Sequence, residues 1–252
     1  MIDFTLRHFE SFEDHRQCEA LQRLVWVGDA GVPSNMTITL QRHGGLAMGA
    51  FDANGVMIAC VLSMLAPAHH PGALRGLCQH SHLAAVAPEL QGRGVGEALK
   101  RAQADAARAS GFNLMTWTYD PLETRNARLN IAKLGCVCGE YIRNCYGEMR
   151  DAMNQGLPSD RFEEDWWLDR EVRPNGEVVA AAGSLIFDPR KEDARIEIPA
   201  DFQATKRNNL GLAQAERLRT RAEFEQAFGA GYLVTGFTAF PQKAYYSLTK
   251  VG

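Results

Sequence analysis

"ELQGRGVGEALKRAQ", from Glu89 to Gln103, puts three glycines on alternate positions and then runs straight into a helical pattern. Val95, Ala98, Leu99, Ala102, Ala106 and Ala109 mark one helical face, and Gly111 stops it. Such a turn leaves backbone N–H groups unpaired at the helix start, where the helix dipole adds partial positive charge. The pattern suits an anion, a pyrophosphate above all. A phosphate loop of the Gly-x-x-x-x-Gly-Lys type is excluded, because no Lys followed by Ser or Thr comes after the glycines. A dinucleotide fingerprint needs Gly-x-Gly-x-x-Gly, and here the third spacing is too short and several strands come first. Asp120 falls about where a ribose-binding acid would stand, so NAD stays as an outsider, beside a turn with no ligand at all.

Working outward, "HSHLAAVA" (His80 to Ala87) reads as the strand feeding this turn. Residues 2–9 read as an opening strand. Ser11 to Trp26 read as a helix capped by Ser11, with Glu13 and Asp14 in its first turn. Residues 28–45 look loop-rich. Residues 45–52 and 56–65 read as a hairpin around "DANG". After the glycine helix come a strand at 112–119, a helix at 120–135 ended by Gly135, and a strand at 136–144. Residues 146–161 are polar and turn-rich. "FEEDWWLDR" reads as a strand with Trp166 and Trp167 on opposite faces. Strands at 178–187 and 194–198, a helix at about 206–228 and two terminal strands complete the chain. The mixture predicts an α/β sheet with helices on both faces.

The 252 residues are 46% hydrophobic and 23% charged, with net charge −3, as in a folded globular protein. That balance argues against nonspecific nucleic-acid binding. No apolar run approaches the ~20 residues that span a bilayer, and the N-terminus lacks a signal-peptide core. No nucleic acid, no membrane and a cytoplasmic location are therefore expected. The six cysteines, with Cys136 and Cys138 on one face of a strand, read as thiols rather than disulfides or metal ligands.

Gln91-Gly92-Arg93-Gly94-Val95-Gly96 resembles the Gln/Arg-x-x-Gly-x-Gly/Ala signature of the GNAT acyltransferase superfamily. "HLAAVAPEL" looks like that family's fourth strand, and "NARLNIAKLGC" (Asn126 to Cys136) like its later Asn-led helix. The motifs cover about Ser81 to Cys136 in the family's order. "WTYDPLETRNARLN", "YGEMRDAMNQGLPSDRFEEDWW" and "IEIPADFQA" extend the resemblance to a larger-than-usual branch. It implies a GNAT acyl-coenzyme-A N-acyltransferase fold. Its core is expected at 1–170, a mixed, mostly antiparallel sheet flanked by helices. A C-terminal α+β extension at 171–252 would pack on that core. Acetyl-coenzyme A, or another acyl-coenzyme A, is the implied co-substrate, with no metal. It would be held by Ala84, Ala85, Val86, Gln91, Gly92, Arg93, Gly94, Val95, Gly96, Glu97 and Asn126.

The implied reaction is attack by an amine on a thioester, which needs an N–H to stabilise the carbonyl oxygen, a base and a proton for the departing thiolate. Ala84 to Val86 hold the matching N–H groups. His82 is a candidate base, since an unperturbed His side chain ionises near ~6.5. Asp120 is another, although Asp-Pro-Leu-Glu also fits a helix cap. The family often places a Tyr four residues before the Gly that ends the later helix. Here Ile131 occupies that position, so Tyr146 is a candidate donor from elsewhere, or the thiolate leaves unassisted. Arg161 beside Asp160 reads as a surface ion pair, and Arg217, Arg219 and Arg221 as a solvated helix face. The expected function is acyl transfer to an amine on a small molecule. A protein N-acetyltransferase and a noncatalytic acyl-coenzyme-A sensor are the alternatives.

Overall fold

The computed structural model describes residues 3–26, 31–149 and 155–251. The chain divides into two compact units, residues 1–115 with 150–152, and residues 116–149 with 153–252. Residues on both sides of the 170/171 boundary lie in the second unit.

The first unit holds β1 (Thr5–His8), α1 (Phe12–Val25), α2 (Ser34–Arg42), β2 (Ala47–Phe51), β3 (Met57–Pro67), β4 (Leu77–Val86) and α3 (Val95–Ala109). The four strands pair antiparallel in chain order. All of β2 and the first seven residues of β3 are buried, because helices cover both faces of this sheet. On one face Cys18 and Leu21 of α1 pack with Ala47, Phe51, Cys60, Leu62 and Ala85. On the other, Val95 and Leu99 of α3 pack with Met48, Ala50, Ala59 and Val61. Full burial of a side chain such as Leu99 contributes about 2 kcal/mol.

The hairpin and α1 follow the sequence pattern. The loop expected at 28–45 does not: residues 34–42 form α2, while 27–30 lie outside the described residues. Its buried positions are Ser34 and Thr37, so no apolar stripe announces it. A hydrogen bond of 2.8 Å between His15 Nδ1 and Thr37 Oγ1 joins it to α1.

The strand β5 (Leu114–Tyr119) leads into the second unit. There α4 (Thr124–Ala127) runs on into a π-helical turn, Arg128–Leu134, which Gly135 ends at φ 74°. The strands are β6 (Val137–Ile142), β7 (Arg161–Trp167), β8 (Glu171–Val172), β9 (Val178–Ala180), β10 (Leu185–Phe187) and β11 (Ala194–Pro199). Helices α5 (Phe202–Asn208) and α6 (Leu210–Gly229) and strands β12 (Tyr232–Ala239) and β13 (Lys243–Lys250) follow. The larger sheet runs β5-β7-β6-β12-β13-β11, and β8, β9 and β10 form a separate small one.

Three expectations need correction here. The single strand at 178–187 is two strands, separated by Ala181 and Ala182 at φ 55° and 53°, whose N–H groups the Asp169 carboxylate accepts. The single helix at 206–228 is two, broken at Asn209, whose side chain caps α6 through the Leu212 N–H. Arg217 and Arg221 leave the solvated face assigned to them and point into the protein. The polar stretch at 146–161 includes 150–154, outside the described residues.

The start of α1 is a ring of hydrogen bonds. Asp14 N–H donates to Ser11 Oγ, and the Asp14 carboxylate accepts from the N–H groups of Glu10 and Ser11 and from Arg7 at 2.8 and 3.0 Å. Arg7 pulls the Asp14 carboxyl well below its usual range, against the opposing effect of burial. A carboxylate so depressed contributes stability above its unfolded pKa of ~3.9 and loses it as pH falls through the folded value. Asp14→Asn is expected to cost about 2 kcal/mol at pH 7 and to flatten the fall in stability between about pH 4 and pH 2. Denaturant titrations across that range check this, and an unchanged slope would show that Asp14 carries none of it.

Candidate functional site

The strand that leads into the glycine turn is irregular. Leu83 pairs with Leu62 and Ser81 with Ser63, so His82 is an extra residue in β4. This β-bulge leaves His82 exposed. Beyond it the ladder resumes, and the Ala87 N–H donates to Ile58 O at 2.9 Å. Successive N–H groups of a strand alternate in direction, so those of Ala84 and Val86 point away from β3. Ala84 is exposed, Val86 half-buried and Ala85 buried.

Residues 88–90 form a single tight turn, and Gln91 Nε2 donates back to Val86 O at 3.2 Å. Gly92 has φ 76° and Gly94 φ 89°, a left-handed backbone that suits glycine. Gly94 is the N-cap of α3, so no side chain caps that fifteen-residue helix. A Cβ at either glycine would meet nothing within 4 Å, so the turn is open. Gly96 lies the other way: a Cβ there would come within 3.3 Å of Val86 Cγ2, so α3 seats closely on β4. Gln91, Gly92, Arg93 and Gly94 are exposed, Val95 is buried, and Glu97 is half-buried. Glu97 would repel a phosphate, but Arg101 Nη2 pairs with it at 3.0 Å. The turn therefore brings Gln91 to Glu97 around one uncapped helix start, which fits a pyrophosphate.

Beneath β4 lies a polar cluster that sequence reading missed. Lys100 is 4% exposed, and its Nζ donates to Ser81 Oγ at 2.7 Å. Ser81 Oγ donates in turn to the buried Gln103 at 3.1 Å. Burial, with His82 and Lys100 nearby, pulls the His80 pKa down, so His80 favours its neutral form.

The remaining candidates lie in the second unit. Asn126 is exposed on α4, while Ile131 is 3% exposed and packs as core. Tyr146 is half-exposed, with its hydroxyl 2.5 Å from Thr118 Oγ1. The Arg161 guanidinium sits 5.5 Å over the Tyr146 ring and 3.9 Å from Asp120, so Tyr146 and Asp120 share a neighbour. Trp166 and Trp167 are both buried, since both faces of β7 are covered. Cys136 and Cys138 are buried thiols outside any disulfide, and among the described residues no three His, Cys, Asp or Glu side chains gather as a metal set.

Asp120 is held by both oxygens. Arg217 Nη1 donates to Oδ1 at 2.8 Å and Nη2 to Oδ2 at 2.5 Å, while the Leu122 N–H adds a third bond. Arg217 is 1% exposed. Burial works against its charge, and Asp120 more than offsets that, so its pKa is raised. Asp160 and Arg161, taken as a surface pair, are both buried, and Asp160 pairs instead with Arg221. The signal available in sequence was spacing: Arg217 and Arg221 stand four apart, on one face of α6. Asp120→Asn would strand the Arg217 charge, at an expected cost of about 3–5 kcal/mol in a denaturant melt. A cost under about 1 kcal/mol would show that the pair carries no such weight.

No protein-family model matches the chain, and no curated protein matches it in sequence. Solved structures do match it. A NatC complex bound to Gag peptide and CoA aligns at 12% identity and TM-score 0.52, covering 66% of this chain and 99% of that one. The ribosomal-protein-S18-alanine N-acetyltransferase from Escherichia coli aligns at 16% and 0.51, covering 66% and 94%. An acetyltransferase of the GNAT family from Streptococcus pneumoniae aligns at 16% and 0.50, covering 65% and 98%. About a third of this chain has no counterpart in these alignments. Identity this low carries a likeness of fold, and the chain has the fold of the GNAT acetyltransferases.

Proposed function

We propose that the chain is an acyltransferase moving an acetyl or other acyl group from acyl-coenzyme A to an amine. The observation that carries this reading is the uncapped α3 start, opened by left-handed Gly92 and Gly94 directly after the bulged β4. In this reading Gln91 to Glu97 bind the pyrophosphate, and Asn126 contacts the same co-substrate. The thioester supplies a carbonyl that a neutral amine attacks. The N–H of Ala84 or Val86 donates to its oxygen as charge builds there. His82, exposed on the bulge, takes the amine proton. Tyr146 gives a proton to the departing sulfur, a task Ile131 cannot perform. Asp120, held by Arg217, keeps a structural role.

The acceptor we favour is an amine on a small molecule. A protein N-terminus is the second reading, because one structural neighbour is an N-acetyltransferase for a ribosomal protein and another was solved with a peptide. Calorimetry is expected to show micromolar-range binding of acetyl-coenzyme A and none of NAD. Gly94→Val, folded by circular dichroism, is expected to weaken that binding at least about tenfold, because Val resists the left-handed backbone. NAD binding in place of coenzyme A, or unchanged affinity in the variant, would overturn the site. Thiol release across a panel of small amines and peptides identifies the acceptor class. Tight binding with no release from any of them would favour an acyl-coenzyme-A sensor.

A further inference from the structure

The Tyr146 hydroxyl is set by a chain of hydrogen bonds within the second unit that begins on α6. Asn144 has φ 46°, a left-handed backbone that Asn adopts more readily than most non-glycine residues, and hydrogen bonds hold the loop in it. The Asn144 N–H donates to Asp160 Oδ1 at 2.9 Å, the Cys145 N–H to Ser159 O at 3.0 Å, and the Tyr146 N–H to Ser159 Oγ at 2.9 Å. Ser159 Oγ donates onward to Gly147 O at 2.8 Å. Four consecutive residues are thus tied to two.

Those two are fixed in turn by α6. Asp160 is fully buried, and Arg221 Nε and Nη2 donate to its two oxygens at 2.8 and 2.9 Å. The Tyr141 hydroxyl adds a bond of 2.7 Å. Burial pushes the Asp160 pKa up, but Arg221, the Asn144 N–H and Tyr141 together bring it below its ordinary value, so the carboxylate stays charged. One turn further along α6, Glu225 pairs with Arg143 at the entry to the same loop.

We propose that Arg221 is a positioning residue for Tyr146, acting through Asp160 and Ser159. The inference rests on the reading of Tyr146 as the proton donor to the thiolate. The Tyr146 hydroxyl and Thr118 Oγ1 share a hydrogen bond of 2.5 Å in which either can donate; with Thr118 as the donor, the phenolic proton is left for the sulfur. As the carbon–sulfur bond breaks, the sulfur keeps the bonding pair and takes that proton, and the phenolate regains one from water. α6 is therefore part of the catalytic apparatus rather than an added layer.

The test needs no acceptor. The free coenzyme A thiol ionises near ~8.5, and a hydroxyl donating to the bound sulfur lowers that value. Coenzyme A should then bind more tightly as pH rises from 7 to 9, whereas acetyl-coenzyme A has no thiol to titrate. Calorimetry on the full chain is expected to show the affinity ratio of coenzyme A to acetyl-coenzyme A rising by roughly five- to tenfold, as a shift of about one pKa unit gives. Tyr146→Phe should abolish the rise. Arg221→Gln and Ser159→Ala should each lose most of it, with acetyl-coenzyme A affinity at pH 7 held within about twofold. Ser159→Ala removes one hydroxyl and carries the test should Arg221→Gln fail to fold. A rise that survives in Tyr146→Phe, or is absent from the unaltered protein, overturns Tyr146 as the donor and the inference with it. A rise lost in Tyr146→Phe but kept in the Arg221 and Ser159 variants overturns the positioning role alone.

Discussion

The carboxylate of Asp160 lies wholly out of water, and the groups around it must replace what water supplied. Arg221, Tyr141 and the Asn144 N–H do so, and they come from α6, β6 and the loop after β6. One buried charge thus fixes three separate pieces of the second unit. Asp120 repeats the device with Arg217, one turn earlier on the same helix. Between these ionic anchors lies an aromatic core: Phe162 meets Phe224 edge to face at 4.7 Å, and Tyr246 joins both. The Tyr246 hydroxyl donates to Pro121 O, next to Asp120, so apolar and ionic contacts meet at the end of β5.

The first unit is held in another way. Helices cover both faces of β2 and the first part of β3, and the unit's special features are backbone features: a bulge at His82 and two left-handed glycines. The bulge puts one extra residue, His82, into β4 against β3. The glycines stop the chain from covering the start of α3. They leave that start uncapped and open, at the cost of local regularity.

The parts legible in sequence were those whose chemistry is local. The glycine turn could be read because a left-handed N-cap demands particular residues at particular spacings. The Ser11 cap and the "DANG" hairpin were legible for the same reason. α2 was not, since its inward positions are Ser34 and Thr37 and they meet α1 through polar contacts, Thr37 with His15 and Ser34 donating to Glu19. α6 was misread for a related cause. Its buried face is Ala213, Arg217, Thr220 and Phe224, and charged side chains ordinarily face water. Only the partners, Asp120 and Asp160, explain the exception, and they lie 97 and 61 residues away along the chain. The structure of the glycine turn was therefore anticipated far better than the surroundings of Tyr146.

The turn from Arg128 to Leu134 bears on how a motif should be aligned. Counting four residues back from Gly135 assumes that hydrogen bonds close every fourth residue. In a π-helical turn they close every fifth, so each side chain points somewhat behind its place in an α-helix. Ile131 fills the motif's position in number while its side chain belongs to the core. Two sequences can thus agree at a position and disagree about the direction it faces. For this chain, direction in space, not distance along the motif, indicates which residue inherits a chemical task.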